Sequence, residues 1–368
     1  MKRIVYLTRR FPDAAQPYTT AEVTGLTARG FELEVRVLRP QYREPEDSLP
    51  LDLPVRSSPL GTFAGLRVSR HPARLLSAAT AGAWLARRLD PARDHIHAQF
   101  PLAAASAGMY AARRSGASFS FGGHVLNDLD LMPEKLVQAR FVVVGSEFER
   151  ELIASRYGDD ARAKVHVRRL GVPPRPPRDD FVPGTIVSVG AMAGMKGHDI
   201  LIRAIDALRG IGNEARLELI GEGPDQPGLQ GIVAALGLGD RVTFSGVLPY
   251  DEMLDRVAHA EAFALACRET RNGEVDCLPV SLMDAMSLGV PCVSSRAFGI
   301  PELIEDGVSG LLASPADPDQ VADCLSRILG NPSAQDMLGA AGREAVRDRY
   351  DRDRNLDALA KLFREQLE

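Results

Sequence analysis

The stretch Asp276-Cys-Leu-Pro-Val-Ser-Leu-Met-Asp284-Ala-Met-Ser-Leu-Gly-Val-Pro291-Cys-Val-Ser294 holds a polar loop, a helix and a strand in immediate succession. Pro279 suits the first position of a helix, where its missing N–H costs nothing, and a helix is expected over 279–288. The apolar run 291–294 then reads as a short strand. Asp276 falls in the loop before the helix, and Asp284 falls on the second turn, facing the same ligand side. Carboxylates at such a helix mouth suit sugar hydroxyls, from which they accept hydrogen bonds. By residue chemistry alone, a capping Asp276 and a solvated Asp284 account for the pattern equally well. Just downstream, Gly299-Ile300-Pro301-Glu302 opens a further helix over 301–306, a second terminus able to meet an anion.

Outward from this stretch, strand-like and helix-like segments alternate along the whole chain. That is the pattern of parallel sheets covered by helices. In the first half, strands are expected over 3–7, 32–38, 95–98, 118–122, 141–145 and 165–168. Helices are expected over 20–29, 73–89, 102–115 and from Ser146, with a proline-rich loop over 39–59. In the second half, strands over 185–189, 216–220, 242–244, 262–266 and 291–294 alternate with helices over 199–208, 227–236, 250–259 and 279–288. Helices over 317–329 and 332–367 finish the chain. Between the halves, Pro173-Pro-Arg-Pro-Pro-Arg178 packs four prolines into six residues, which forms no regular element and reads as a connector. At 368 residues two domains are expected, and open doubly wound sheets bind ligands at their strand C-termini.

Composition narrows the partners. The 45% hydrophobic and 25% charged content is that of an ordinary globular protein. Met1-Lys2-Arg3 runs straight into a short strand, without the apolar stretch of a signal peptide, and the apolar runs are too short to span a bilayer. A cytoplasmic protein is expected. Cys267, Cys277, Cys292 and Cys324 lack metal-ligand spacing and read as reduced, buried thiols. Charge is uneven: residues 1–178 carry 27 Lys and Arg against 18 Asp and Glu, and residues 179–368 carry 17 against 31. The basic half is either solvated surface or a face for an anionic acceptor or a membrane surface, giving peripheral membrane association. Its scattered charges and few aromatics argue against nucleic acid.

Three further segments bear on chemistry. Gly190-Ala-Met-Ala-Gly-Met-Lys196-Gly197 follows a strand and precedes a helix. Such a loop offers N–H groups and a positive dipole end to phosphate, with Lys196 adding a charge, or it is a tight turn with a surface lysine. Its spacing is neither a P-loop nor GxGxxG. Gly221-Glu-Gly-Pro224 lies at another strand end, as a turn or as a place for close ligand approach. Phe121-Gly-Gly-His124 sets a histidine beside glycines, structural or reaching out as a donor; His97, within a strand, is a weaker candidate.

Together these segments resemble the retaining glycosyltransferase family 4, of GT-B fold. The match is clearest in Asp276–Pro291, Gly299-Ile-Pro-Glu302 and Asp306-Gly-Val-Ser-Gly-Leu-Leu. It extends to Ser188-Val-Gly with Lys196-Gly, to Gly221-Glu-Gly-Pro, and to Gly237–Val247. Arg10-Phe-Pro with Glu22, His97-Ala-Gln-Phe and Ser120-Phe-Gly-Gly-His124 are similar to the branch that builds exopolysaccharides.

The resemblance implies two Rossmann-like domains facing a central cleft, 1–175 with 350–368 for the acceptor and 176–349 for the donor. The last helix would cross back to the first domain. It implies metal-independent transfer of a sugar from a UDP-sugar to a hydroxyl acceptor, with retention and with no cofactor. Lys196 would neutralise the diphosphate, Asp276 grip the donor sugar, and Asp284 hold the ribose. Gly190, Gly221 and the backbone at Cys277, Leu278, Pro279 and Val280 would line the donor site. Val247 would meet the base, and His124 would reach the donor sugar from the N-terminal side. Glu22 and His97 would lie on the acceptor side. The chain departs from the family pattern at Ala191, where many members have an Arg, and at Asp284, one methylene shorter than the usual Glu. Gln99 replaces a second histidine, and 13–18 replaces a glycine-pair loop. Two alternatives share the architecture: a UDP-sugar epimerase, and a degenerate protein that binds nucleotide sugar without turnover.

Overall fold

The computed structural model describes residues 2–9, 11, 17–38, 55–57, 72–123 and 131–368. The chain divides into two compact units, Met1–Leu170 with Asp353–Glu368, and Gly171–Arg352. In the first unit the strands are β1 (Arg3–Thr8), β2 (Leu33–Val37), β3 (Val55–Ser57), β4 (Asp94–Ala98), β5 (Ser118–Gly122), β6 (Phe141–Val144) and β7 (Val165–Val167). They form one sheet in the order β3-β2-β1-β4-β5-β6-β7, and every neighbouring pair is parallel. Its helices are α1 (Pro17–Ala28), α2 (Pro72–Ala86), α3 (Ala103–Ser115), α4 (Met132–Gln138), α5 (Glu147–Tyr157) and α6 (Asp159–Lys164).

The second unit repeats the plan. Its strands are β8 (Val182–Val189), β9 (Arg216–Ile220), β10 (Val242–Gly246), β11 (Ala260–Leu265), β12 (Cys292–Ser295) and β13 (Leu311–Ala313). These are parallel in the order β10-β9-β8-β11-β12-β13. The helices are α7 (His198–Gly210), α8 (Gln226–Leu236), α9 (Tyr250–Ala258), α10 (Val280–Ser287), α11 (Ile300–Leu303), α12 (Pro318–Ile328) and α13 (Pro332–Arg349); α14 (Arg352–Leu367) ends the chain.

Strand periodicity explains the layering. Successive side chains leave a strand on opposite faces. In β8, Ile186 joins a core with α7, α8 and α12, and Val187 joins another with α9, α10 and α13. In β1, Val5 and Leu7 pack with α3, and Ile4 and Tyr6 pack with α1 and α14. Sheets covered on both faces are apolar throughout, and β11 is buried along its whole length. Its one charged residue, Glu261, accepts hydrogen bonds from Gly184 N at 2.5 Å, Gly330 N at 2.7 Å and Gln335 Nε2 at 2.6 Å. Each sheet reverses its strand order once, at β1|β4 and at β8|β11. Such switch points open a crevice at the strand C-termini.

Three expectations need correction. The helix expected over 332–367 is two helices, because Tyr350 and Asp351 are claimed by backbone pairing. Val172 N donates to Tyr350 O at 3.0 Å, and Arg352 N donates to Val172 O at 3.1 Å. A side chain on Gly171 would strike the Arg352 backbone at 2.6 Å. The proline run is no loose connector but part of the second unit, held by Arg178 N to Leu288 O at 2.8 Å and Arg343 Nη2 to Arg175 O at 2.8 Å. The expected loop over 39–59 contains β3, and 39–54, 58 and 59 lie outside the described residues.

Candidate functional site

The donor-side residues gather at the switch point of the second sheet. The loop after β8 carries Lys196, and the loop after β11 carries Asp276. These neighbouring strands bring the two side chains into an ion pair between Lys196 Nζ and Asp276 Oδ2. The Lys196 side chain keeps 15% of its surface exposed. Burial alone would lower the pKa of its ammonium, but Asp276 outweighs that and raises it. Lys196 therefore stays charged at neutral pH.

Glycines let this loop sit where it does. Gly197 has φ +67°, and a Cβ there would lie 1.8 Å from Ala266 O. At Gly221, φ is +130°, and a Cβ would lie 2.1 Å from Gly190 O, so the two glycine loops stack backbone on backbone. The Lys196 stem passes over Gly190, with Cδ and Cε 3.2 Å from where a Cβ would stand. Arg268 then pins the loop: its Nε donates to Gly194 O at 3.1 Å and its Nη1 pairs with Asp199 at 3.0 Å. Nothing in the sequence reading singled out Arg268. Its role depends on β8 and β11 being neighbours, which local periodicity does not encode.

Asp284 is placed differently from expectation. Expected at the helix mouth facing ligand, it is only 3% exposed on α10. Its Oδ1 accepts from Tyr250 Oη at 2.7 Å, and Arg175 Nη2 lies 3.7 Å from the same oxygen. Burial raises its pKa to about 6, against the opposing pull of Tyr250 and Arg175. Neither partner is signalled by the local sequence: Tyr250 lies 34 residues before it on α9, and Arg175 a further 75 residues back in the proline run. Pro279 precedes α10 and provides no side-chain cap, while its carbonyl accepts from Leu282 N at 3.2 Å. Cys277 is buried, and its carbonyl accepts from Gly299 N at 2.9 Å. Leu278 and Val280 pack against the core. Val247 follows Gly246 at the end of β10 and is 66% exposed. The expected terminus at Gly299 opens only the four-residue α11. His198, beside Lys196, is buried and its pKa is pushed down to about 4, first by burial and then by that ammonium.

In the first unit the structure brings Glu22 and His97 together, but under cover. Glu22 is 6% exposed and His97 1%. His97 Nε2 lies 3.8 Å from Glu22 Oε1. Tyr6 Oη lies 3.0 Å from that oxygen and 2.7 Å from Gln99 Oε1. Burial lifts Glu22 to a pKa of about 7, although the Tyr6 bond pulls it down. When Glu22 is protonated, its O–H can donate to the phenol while the phenol donates to Gln99. Behind them, Ser120 Oγ bridges His97 Nδ1 at 2.8 Å and His95 Nε2 at 2.7 Å. His124 lies outside the described residues. Among the described residues no group of three His, Cys, Asp or Glu side chains is arranged to hold a metal ion.

Known proteins share both the sequence pattern and the fold. Residues 182–345 match the family model for glycosyl transferases group 1. The GDP-mannose-dependent alpha-(1-6)-phosphatidylinositol monomannoside mannosyltransferase of Mycolicibacterium smegmatis is 29% identical over 78% of this chain and 81% of its own length. The amylovoran biosynthesis glycosyltransferase AmsK of Erwinia amylovora is 29% identical over 64% of this chain and 56% of its own. Among solved structures, Anabaena Alr3699/HepE in complex with UDP and glucose superposes with a TM-score of 0.76 at 16% identity, covering 99% of both chains. The chain thus has the GT-B architecture of this solved structure, and its sequence is similar to family 4-like glycosyltransferases, among them enzymes of exopolysaccharide biosynthesis.

Proposed function

We propose that the chain moves a hexosyl group from a UDP-sugar to a hydroxyl of a glycan, lipid-linked or small-molecule acceptor, with retention at the anomeric carbon and without a metal. The observation that carries this reading is the Lys196–Asp276 pair in the loops that leave β8 and β11, at the switch point of the second sheet. Lys196 supplies the fixed positive charge that a departing diphosphate needs. Asp276, partnered by that lysine in the free protein, turns to the donor sugar hydroxyls once the diphosphate has claimed the ammonium. Asp284 takes a ribose hydroxyl, exposed Val247 meets the base, and the glycine backbones at 190 and 221 admit the diphosphate closely. The leaving phosphate oxygen accepts the acceptor's proton.

Uracil is favoured by the likeness to a fold seen with UDP, whereas the mycobacterial relative is by name GDP-mannose-dependent. On the acceptor side Glu22 and His97 act indirectly, holding Tyr6 and Gln99 at the carboxyl ends of β1 and β4. No helix among the described residues is long and apolar enough to cross a membrane, and the basic first half of the chain would favour an anionic membrane face.

The test is release of nucleoside diphosphate from a panel of UDP- and GDP-sugars, with and without glycan, lipid-linked and small-molecule acceptors. Acceptor-dependent release of UDP is expected. Interconversion of the sugar without transfer points to an epimerase, and binding without turnover to a degenerate enzyme; either overturns the proposal.

A further inference from the structure

Asp284 is a carboxylate with two unequal oxygens. Oδ1 is taken: Tyr250 Oη donates to it at 2.7 Å, and Arg175 Nη2 stands 3.7 Å away. Arg175 Nη2 also donates to Tyr250 Oη at 3.0 Å, and its guanidinium carbon lies 5.5 Å from the centre of the Tyr250 ring. Its own carbonyl is fixed in turn by Arg343 Nη2 at 2.8 Å. The phenol, whose proton is given to Asp284, thus accepts from the arginine, and the three groups form a directional chain. Among the described residues Oδ2 accepts no hydrogen bond, and the Asp284 side chain keeps 4% of its surface exposed. A glutamate at this position would carry its carboxylate one methylene further, and the Tyr250 hydroxyl already stands 2.7 Å from Oδ1.

We propose that Tyr250 and Arg175 are positioning residues of the ribose site, fixing one oxygen of Asp284 so that the other alone receives a ribose hydroxyl of the nucleoside diphosphate. This rests on the ribose role of Asp284 proposed above. Two consequences follow from the geometry. Losing the phenol leaves Asp284 free to rotate and removes a bond that favours its ionised form, so nucleotide affinity falls and its acid limb moves to higher pH. Tyr250 and Arg175 are also the groups that act on the Asp284 charge, one from α9 and one from the proline run. Removing the phenol further makes room for a longer acid, so the effects of changing 250 and 284 are coupled.

The experiment measures the dissociation constant of UDP by calorimetry from pH 5 to pH 8 in the full chain. Tyr250→Phe is expected to weaken UDP about tenfold at pH 7, the scale of one hydrogen bond to a charged group, and to move the acid limb upward. Asp284→Glu alone weakens binding, and Tyr250→Phe combined with Asp284→Glu recovers part of the loss. A Tyr250→Phe variant with unchanged affinity and an unmoved limb overturns the proposal. Should that variant lose its cooperative thermal transition, Arg175→Gln takes its place, with about a threefold loss expected and an unchanged constant overturning. Asp284→Asn separates the two levels. If it binds UDP normally, the ribose role itself falls; if it binds poorly while Tyr250→Phe does not, only the positioning role falls.

Discussion

Replacing Lys196 tests the donor site most directly. The ammonium is paired with Asp276 and partly exposed, so its attraction for a diphosphate oxygen is neither that of bulk water nor of a dry interior. At about 4 Å and an effective dielectric of about 20, two unit charges attract by about 4 kcal/mol. Competition from Asp276 reduces this, and a single lost electrostatic donor in an active site typically costs about 2.7–4 kcal/mol. At about 1.36 kcal/mol per decade, kcat/KM should drop by about 10²–10³. Most of the loss belongs in kcat, because the charge to be stabilised grows as the sugar–phosphate bond breaks. The stem of Lys196 also packs over Gly190, so Lys196→Ala removes packing as well as charge. Lys196→Met keeps the stem and isolates the charge. Steady-state UDP release by both variants, with urea unfolding as a check on the fold, gives the answer. A Met variant within threefold of the parent refutes the assignment, whatever the Ala variant does.

Two other expectations follow. Asp284 has a folded-state pKa of about 6, above its value in the open chain, so between about pH 4 and pH 6 the folded protein holds more protons and stability falls as pH rises. Asp284→Asn should remove that decline and raise the unfolding free energy at pH 8 by up to roughly 3 kcal/mol, measured by urea titration, while UDP binding weakens; a variant less stable than the parent at pH 8 contradicts the burial argument. Gly197→Ala meets the Ala266 carbonyl at 1.8 Å in a left-handed backbone, so it should lower the thermal midpoint by several degrees for each lost kcal/mol or so and cut activity along with it, whereas a variant with an unshifted midpoint shows that the loop can relax.

Much of the second unit was legible before any coordinates. The strand before Gly190, the helix after Gly197 and the helix after Pro279 announce themselves through apolar period, glycine and proline, which act over a few residues. The helix expected from Ser146 does begin there, and the Ser146 hydroxyl caps it by accepting from Glu149 N at 3.2 Å. The same local signals mislead at Tyr350, where helical periodicity continues through the break. Backbone pairing with Val172, far back in the chain, decides that position. They also mislead at Asp284, because the face a second-turn residue presents depends on which neighbours the helix packs against, and here those neighbours supply a phenol and a guanidinium.

By itself the sequence determined that this is an α/β chain of two doubly wound units, with Lys196, Asp276 and Asp284 in loops and a helix around strand C-termini. Period and turn chemistry are properties of neighbours along the chain. Only the tertiary structure decided that Lys196 pairs with Asp276, that Arg268 holds the lysine loop, that Asp284 is buried with one oxygen occupied, and that Glu22 and His97 share a covered cluster. Each of those depends on which strands lie side by side, and strand order is set by packing across the whole sheet.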